Sequence, residues 1–120
     1  MTVIKLFQNT EDYKTFSAGE TIFEQGDPGD VMYVVLEGQV DIKVEAQVLE
    51  HLGEGHIFGE MAIIDRQPRS ASAVATTDCR VAPVDQKRFT FLVQQNPYFA
   101  IQVMSVMADR LRRLMGVEQA

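Results

Sequence analysis

The sequence has a single cysteine, Cys79, in 120 residues, so no internal disulfide can form and the core alone must hold the fold. A lone thiol fits a reducing compartment, and Cys79 reads as a small buried hydrophobe beside a strand. No apolar run approaches the roughly 20 residues that cross a bilayer. The first residues, MTVIKLFQNTEDY, offer only a very short apolar stretch and no small-residue cleavage site, and do not read as a signal peptide. A cytoplasmic protein with no membrane partner is expected. Basic residues are also scarce: 11 Lys and Arg face 17 Asp and Glu, a net charge of −6. That balance argues against direct nucleic-acid binding, which wants a basic face. The one basic cluster, Arg110, Arg112 and Arg113, adjoins Asp109 and reads as the wet side of a helix.

Hydrophobic residues make up 46% of the chain, enough for one core, and a single domain over 1–120 is expected. Its first part reads as strands. Between about residues 15 and 85, short β-rich runs alternate with turn signals every 8–12 residues, the rhythm of a sandwich or barrel. Thr21–Phe23, Val31–Leu36, Val40–Val44, Gln47–Leu52, Ser70–Thr76 and Arg80–Val84 are the expected strands. Gly26-Asp27-Pro28-Gly29-Asp30, Glu37-Gly38 and Gly53-Glu54-Gly55 are turns, and Glu45-Ala46 suits a tight hairpin.

The last part, about 86–116, reads as two helices. Asp85 is placed to cap Gln86–Gln95. Asn96-Pro97 restarts the chain, because proline in a first turn lacks only a donor that would go unused. Gly116 is placed to stop the second helix near Met115. Ile101, Met104, Ala108, Leu111 and Met115 fall on one stripe of that helix, widened by Val103, Met107 and Leu114. Plain core is the simpler reading of this stripe. The alternative is a face that meets a partner helix or covers a ligand.

The chemistry concentrates in Phe58-Gly59-Glu60-Met61-Ala62-Ile63-Ile64-Asp65-Arg66-Gln67-Pro68-Arg69-Ser70-Ala71, where a barrel would normally use a tight turn. Gly59 permits close approach of backbone to a ligand. Glu60 to Ile64 can form one helical turn whose first amides lack internal partners and favour an anion. Pro68 forbids helical continuation. Arg69, read as opening the next strand, can hold a phosphate with two hydrogen bonds, and Ser70 can add a hydroxyl. One arginine with backbone amides matches a single phosphodiester charge. It is too little for a triphosphate, and no GxxxxGK[ST] loop is present. Glu60 would repel an anion unless it had other work, such as accepting from a ribose hydroxyl.

The segment resembles the phosphate-binding cassette of cyclic nucleotide-binding domains, the family of the catabolite activator protein and of the regulatory subunit of cyclic-AMP-dependent protein kinase. FGEMA and PRSASA stand in the family's order and spacing, AGETIFEQGDPGD resembles its entry to the barrel, and Gly26, Gly38 and Gly55 fall at its turns. The likeness runs over almost the whole chain. It implies a mainly β fold: an antiparallel, jelly-roll-like β-roll of about eight strands followed by two α-helices. It also implies that Glu60 accepts from the ribose 2′-hydroxyl and that Arg69 pairs with the cyclic phosphate. Ser70 and the backbone of Gly59, Met61 and Ala62 complete the phosphate shell, with Phe58 and Ala71 in the site. The last helix acts as a lid and signal output, and Arg110 is placed to approach Glu60 or the ligand. The catabolite activator reads adenine with a Thr-Ser pair late in that helix. Here Leu114-Met115 stand instead, and an apolar cap is expected.

The implied function is a regulatory sensor, not an enzyme, binding cyclic AMP more readily than cyclic GMP and needing no cofactor. A homodimer through the last helix or an unidentified effector protein are the expected partners. No helix-turn-helix, kinase, channel or enzyme domain is recognisable in the sequence. Two other classes compete. His51, His56 and Glu60 form His-x4-His-x3-Glu, which suggests a cupin-like metal enzyme, but such sites generally want three histidines and the chain has two. The other is a ligand-free interaction module that dimerises through the last helix. No nucleophile–base motif supports catalysis.

Overall fold

A computed structural model describes residues 6–7 and 10–116. Part of the N-terminal segment read above for a signal peptide therefore lies outside the described residues. Among these residues, eight strands form two antiparallel four-stranded sheets. They are β1 (Lys14–Phe16), β2 (Thr21–Phe23), β3 (Val31–Glu37), β4 (Val40–Val44), β5 (Gln47–Leu52), β6 (Ile57–Phe58), β7 (Ser72–Ala75) and β8 (Cys79–Asp85). One sheet runs β1-β8-β3-β6 and the other β2-β7-β4-β5. The sheets remain open at their edges, an arrangement compatible with the expected roll. Three α-helices accompany them among the described residues: the single turn α1 (Met61–Ile64), then α2 (Gln86–Gln95) and α3 (Tyr98–Leu114).

The alternation of side chains along β3 decides how the layers stack. Tyr33 and Val35 point between the sheets, where they pack with Val40, Leu52, Phe58, Ala73, Ala75 and Val81. Met32 and Val34 point the other way, into a second cluster with Ile63, Phe99 and Val103. β3 is thus covered on both faces, which explains its unbroken apolar run. The helices roof one sheet while the other sheet floors it.

Local signals place the helix ends. The Asp85 carboxylate accepts from the Arg88 amide at 2.8 Å and caps α2. Pro97 precedes α3, and Gly116 follows it with φ +76°. Glu45, at φ 56°, makes the expected hairpin between β4 and β5. Two expectations need correction. β7 begins at Ser72 rather than Ser70, because the Arg69 backbone is tied to the β2–β3 turn. Its amide donates to Asp27 and its carbonyl accepts from Gly26, both at 2.8 Å. The apolar stripe on α3 is also only partly core. Ile101, Met104, Leu111 and Met115 are all more than half exposed, while Val103 and Met107 from the widened stripe pack inward together with Phe99 and Val106.

Candidate functional site

The cassette returns Arg69 to the mouth of the roll and buries it. Only 7% of the residue is exposed, and its guanidinium lies 4.0 Å above the Phe23 ring. Nη1 donates to the Gly59 carbonyl at 3.2 Å and Nη2 to the Val31 carbonyl at 2.9 Å. Its hydrogen bonds go to neutral carbonyls, and among the described residues no carboxylate forms an ion pair with it. Burial pulls its pKa below the ordinary arginine value, and the more distant Tyr33, Asp30, Asp27 and Glu60 do not offset this. A buried cation without a counter-ion is expensive unless an anion completes it.

Glu60 is the complementary case. It is 2% exposed, just ahead of α1. Its Oε2 accepts from Arg110 Nη1, which α3 delivers across the site. Arg110 also donates through Nε to Glu50 Oε2 at 2.7 Å and through Nη2 to the Ile57 carbonyl at 3.1 Å. Burial acts to lower the Arg110 pKa, but Glu60 and Glu50 outweigh it and hold the pKa above the ordinary value. Glu50 is pushed up by burial, yet Arg110 and Arg113 hold it below the ordinary carboxylate range.

Arg69 and Glu60 line one cavity of about 450 Å³, together with Phe58, Gly59, Met61, Ala62, Ser70 and Ala71. Every sequence-derived site residue is therefore brought to one place, and α3 adds Arg110 and Leu114 to its wall. Leu114 remains 83% exposed, at the rim rather than over a closed site. Two buried polar atoms on the cavity residues have no partner among the described residues: Glu60 Oε1, an acceptor, and Arg69 Nε, a donor. Each such atom costs on the order of 1–3 kcal/mol when left unpaired, a cost that a donor beside Glu60 and an acceptor beside Arg69 would relieve. One expectation is modified: the Ala62 amide is not free but returns to the Gly59 carbonyl at 3.3 Å.

A family model for the cyclic nucleotide-binding domain matches residues 13–96, from β1 to the end of α2. The chain belongs to the cyclic nucleotide-binding domain family. Among its relatives is a CRP-like cAMP-activated global transcriptional regulator of Mycobacterium tuberculosis, 34% identical over 82% of this chain and 46% of that protein. The chain spans about half the length of this regulator. The catabolite activator protein of Thermus thermophilus shares the fold with a TM-score of 0.78 and 32% identity, over 86% of this chain and 51% of that one. A protein from a cyclic-GMP-dependent pathway that regulates bacterial phytopathogenesis matches almost end to end, 99% of this chain and 98% of that one, with a TM-score of 0.74 and 31% identity.

Within this cyclic nucleotide-binding domain, sequence reasoning passed over Glu50 and Gly29. Glu50 lay unmarked in an ordinary strand pattern, and only the approach of α3 reveals it. Gly29 was read as a turn glycine. A Cβ there would stand 2.3 Å from Arg69 Nε, and one at Gly59 would stand 2.7 Å from Arg69 Nη1. Gly59 also needs its φ of +76°, whereas Gly29 is not among the glycines with positive φ, so only the guanidinium opposes a side chain there. Gly29→Ala is expected to push Arg69 off its two carbonyls. Calorimetry should show anionic-ligand affinity lowered roughly tenfold, equivalent to about 1.4 kcal/mol, with little change in the thermal midpoint. Unaltered affinity would mean that Gly29 does not position Arg69.

The metal reading brings no such assembly. His51 pairs with Asp41 at 2.7 Å on the surface, and His56 contacts the Gly53 carbonyl at 3.1 Å. Glu60 turns inward to Arg110, and among the described residues no three His, Cys, Asp or Glu side chains gather as a metal set. Cys79 is buried at the start of β8 as expected, and burial pushes its thiol pKa up. No described helix is long and apolar enough to cross a membrane.

Proposed function

We propose that this chain is a regulatory sensor module that binds cyclic AMP, and cyclic GMP less well, without catalysing a reaction. The observation that carries the proposal is the pair of unpartnered atoms, Arg69 Nε and Glu60 Oε1, buried on residues of one cavity. A cyclic phosphate answers Arg69, and a ribose 2′-hydroxyl donates to Glu60. Ser70 and the backbone of Gly59 and Met61 add contacts to the phosphate, while Phe58, Ala62 and Ala71 wall the site. The base extends toward Ile42, Val44 and Leu49, with Leu114 as an apolar rim. The preference for adenine draws support from the Mycobacterium relative, which is named as cAMP-activated. Calorimetric titration with both cyclic nucleotides tests the proposal. Saturable binding of cyclic AMP, tighter than that of cyclic GMP, is expected, and no heat with either ligand would sink the reading.

The output is α3, which binding shifts between two positions because Arg110 ties it to the Glu60 carboxylate that meets the ribose. Its outer face also suits a second copy of the chain. Ile101, Met104, Ala108, Leu111 and Met115 recur at alternating steps of three and four, the spacing of a two-stranded coiled-coil seam. All but Ala108 are more than half exposed. Sedimentation equilibrium is expected to show a dimer that Leu111→Glu dissociates. A wild-type protein that stays monomeric at high micromolar concentration would remove this seam as an interface.

A further inference from the structure

Two arginines one turn apart on α3 converge on a single carboxylate of the roll. Arg110 Nε reaches Glu50 Oε2 at 2.7 Å and Arg113 Nη1 reaches Glu50 Oε1 at 3.0 Å. Arg110 continues to Glu60 Oε2, so Glu50, Arg110, Arg113 and Glu60 form a chain of alternating charge that sums to zero. The side chains of Glu50, Glu60 and Arg110 are 14%, 2% and 21% exposed. We infer that Glu50 is a positioning residue for sugar recognition: it fixes Arg110, and Arg110 aims the free oxygen of Glu60 at the ribose 2′-hydroxyl.

What the network supplies is orientation. A glutamate carboxylate can rotate about its last bond, and only one of its oxygens here has a partner. Holding Oε2 leaves Oε1 one direction in which to accept. Arginine is itself a long, flexible side chain, so it orients Glu60 only if its own guanidinium is fixed. The planar fork of Arg110 is fixed at three points: Glu50, Glu60 and the Ile57 carbonyl. Removing Glu50 deletes one anchor and leaves an excess positive charge beside Glu60. The guanidinium then samples other positions, and the acceptor for the sugar loses its aim. Because Arg110 and Arg113 both belong to α3, the same contact makes sugar recognition depend on that helix being docked.

This inference rests on the cyclic-nucleotide reading above, and its test separates the two. Dissociation constants for cyclic AMP and its 2′-deoxy analogue would be measured for the wild type, Glu50→Gln, Glu60→Gln and the double variant, with circular dichroism to verify folding. The wild type is expected to prefer the ribose form. Glu50→Gln is expected to lower that preference roughly three- to tenfold, within the range of couplings seen in contact networks. The same change in the Glu60→Gln background is expected to leave the preference unchanged, because the effect travels through Glu60. Glu50→Asp keeps the charge but cannot span both guanidiniums, so an intermediate preference is expected, and it serves in place of Glu50→Gln should that variant fold poorly. A loss of stability alone would not alter the ratio of the two affinities. A folded Glu50→Gln or Glu50→Asp variant with the wild-type ratio would overturn the positioning role. So would a ratio that shifts equally with and without Glu60, since that marks direct contact with the ligand. A wild type that binds neither nucleotide instead overturns the cyclic-nucleotide reading itself.

Discussion

Arg69→Ala is expected to cost about 2–5 kcal/mol of cyclic-nucleotide binding, because it removes the charged donor that meets a desolvated phosphate. Isothermal titration would register this as a loss of roughly 30-fold to several thousand-fold in affinity. The same substitution is expected to leave the empty protein no less stable. In that state the guanidinium is buried, its Nε has no partner, and burial already pulls its pKa down. Losing an uncompensated buried charge offsets the two hydrogen bonds to Gly59 and Val31 that vanish with it. An affinity that survives the change would take Arg69 out of the site. A loss of folding free energy larger than the loss of binding free energy would make it a structural arginine. Arg69→Lys is expected to recover little, since a single ammonium cannot hold two carbonyls and a phosphate in one plane.

Phe99→Ala is expected to destabilise the fold by about 3–5 kcal/mol, the usual cost of emptying a large aromatic site in a core. Phe99 is fully buried in the first turn of α3, with its ring 5.6 Å from that of Phe89 in α2. It also belongs to the cluster that includes Met32, Val34 and Val84 of the sheet. It grips the roll at the start of α3, whereas Arg110 and Leu114 near the other end line the cavity, so its loss should loosen the helix at its start while the charged contacts hold it near its end. Urea unfolding is the direct measurement. Hydrogen exchange on α3 should rise first over residues 98–107. A destabilisation below about 1 kcal/mol would mean that α3 docks through its arginines rather than through apolar burial.

These expectations depend on parts of the molecule that were not equally legible. The segment Phe58 to Ala71 was readable because its chemistry is local. A glycine that must take positive φ, a proline that halts a helix, and an arginine one residue later all act within a few positions of one another. The ends of α2 and α3 were readable for the same reason, since Asp85, Pro97 and Gly116 act on the turn beside them. Glu50 was illegible, because its importance comes from Arg110 and Arg113 on α3, across a distance in sequence that no pattern bridges. The role of Gly29 was misread for a related reason. Its turn is local, but the guanidinium it makes room for is not.

The helix α3 divides the two kinds of information most clearly. Its 3.6-residue period identifies Ile101, Met104, Leu111 and Met115 as sharing a face, and that grouping is correct. Which face turns inward is another matter, because α3 is apolar on two sides. Phe99 and Val103 take the core, and the methionine-rich stripe is left outside. Sequence alone determined the family, most of the secondary elements and the grouping of Phe58 to Ala71 into one segment, because backbone sterics and short-range capping act between neighbours in the chain. The tertiary structure alone decided which side of α3 is buried and which carboxylate anchors it, because those outcomes depend on surfaces brought together only when distant segments pack.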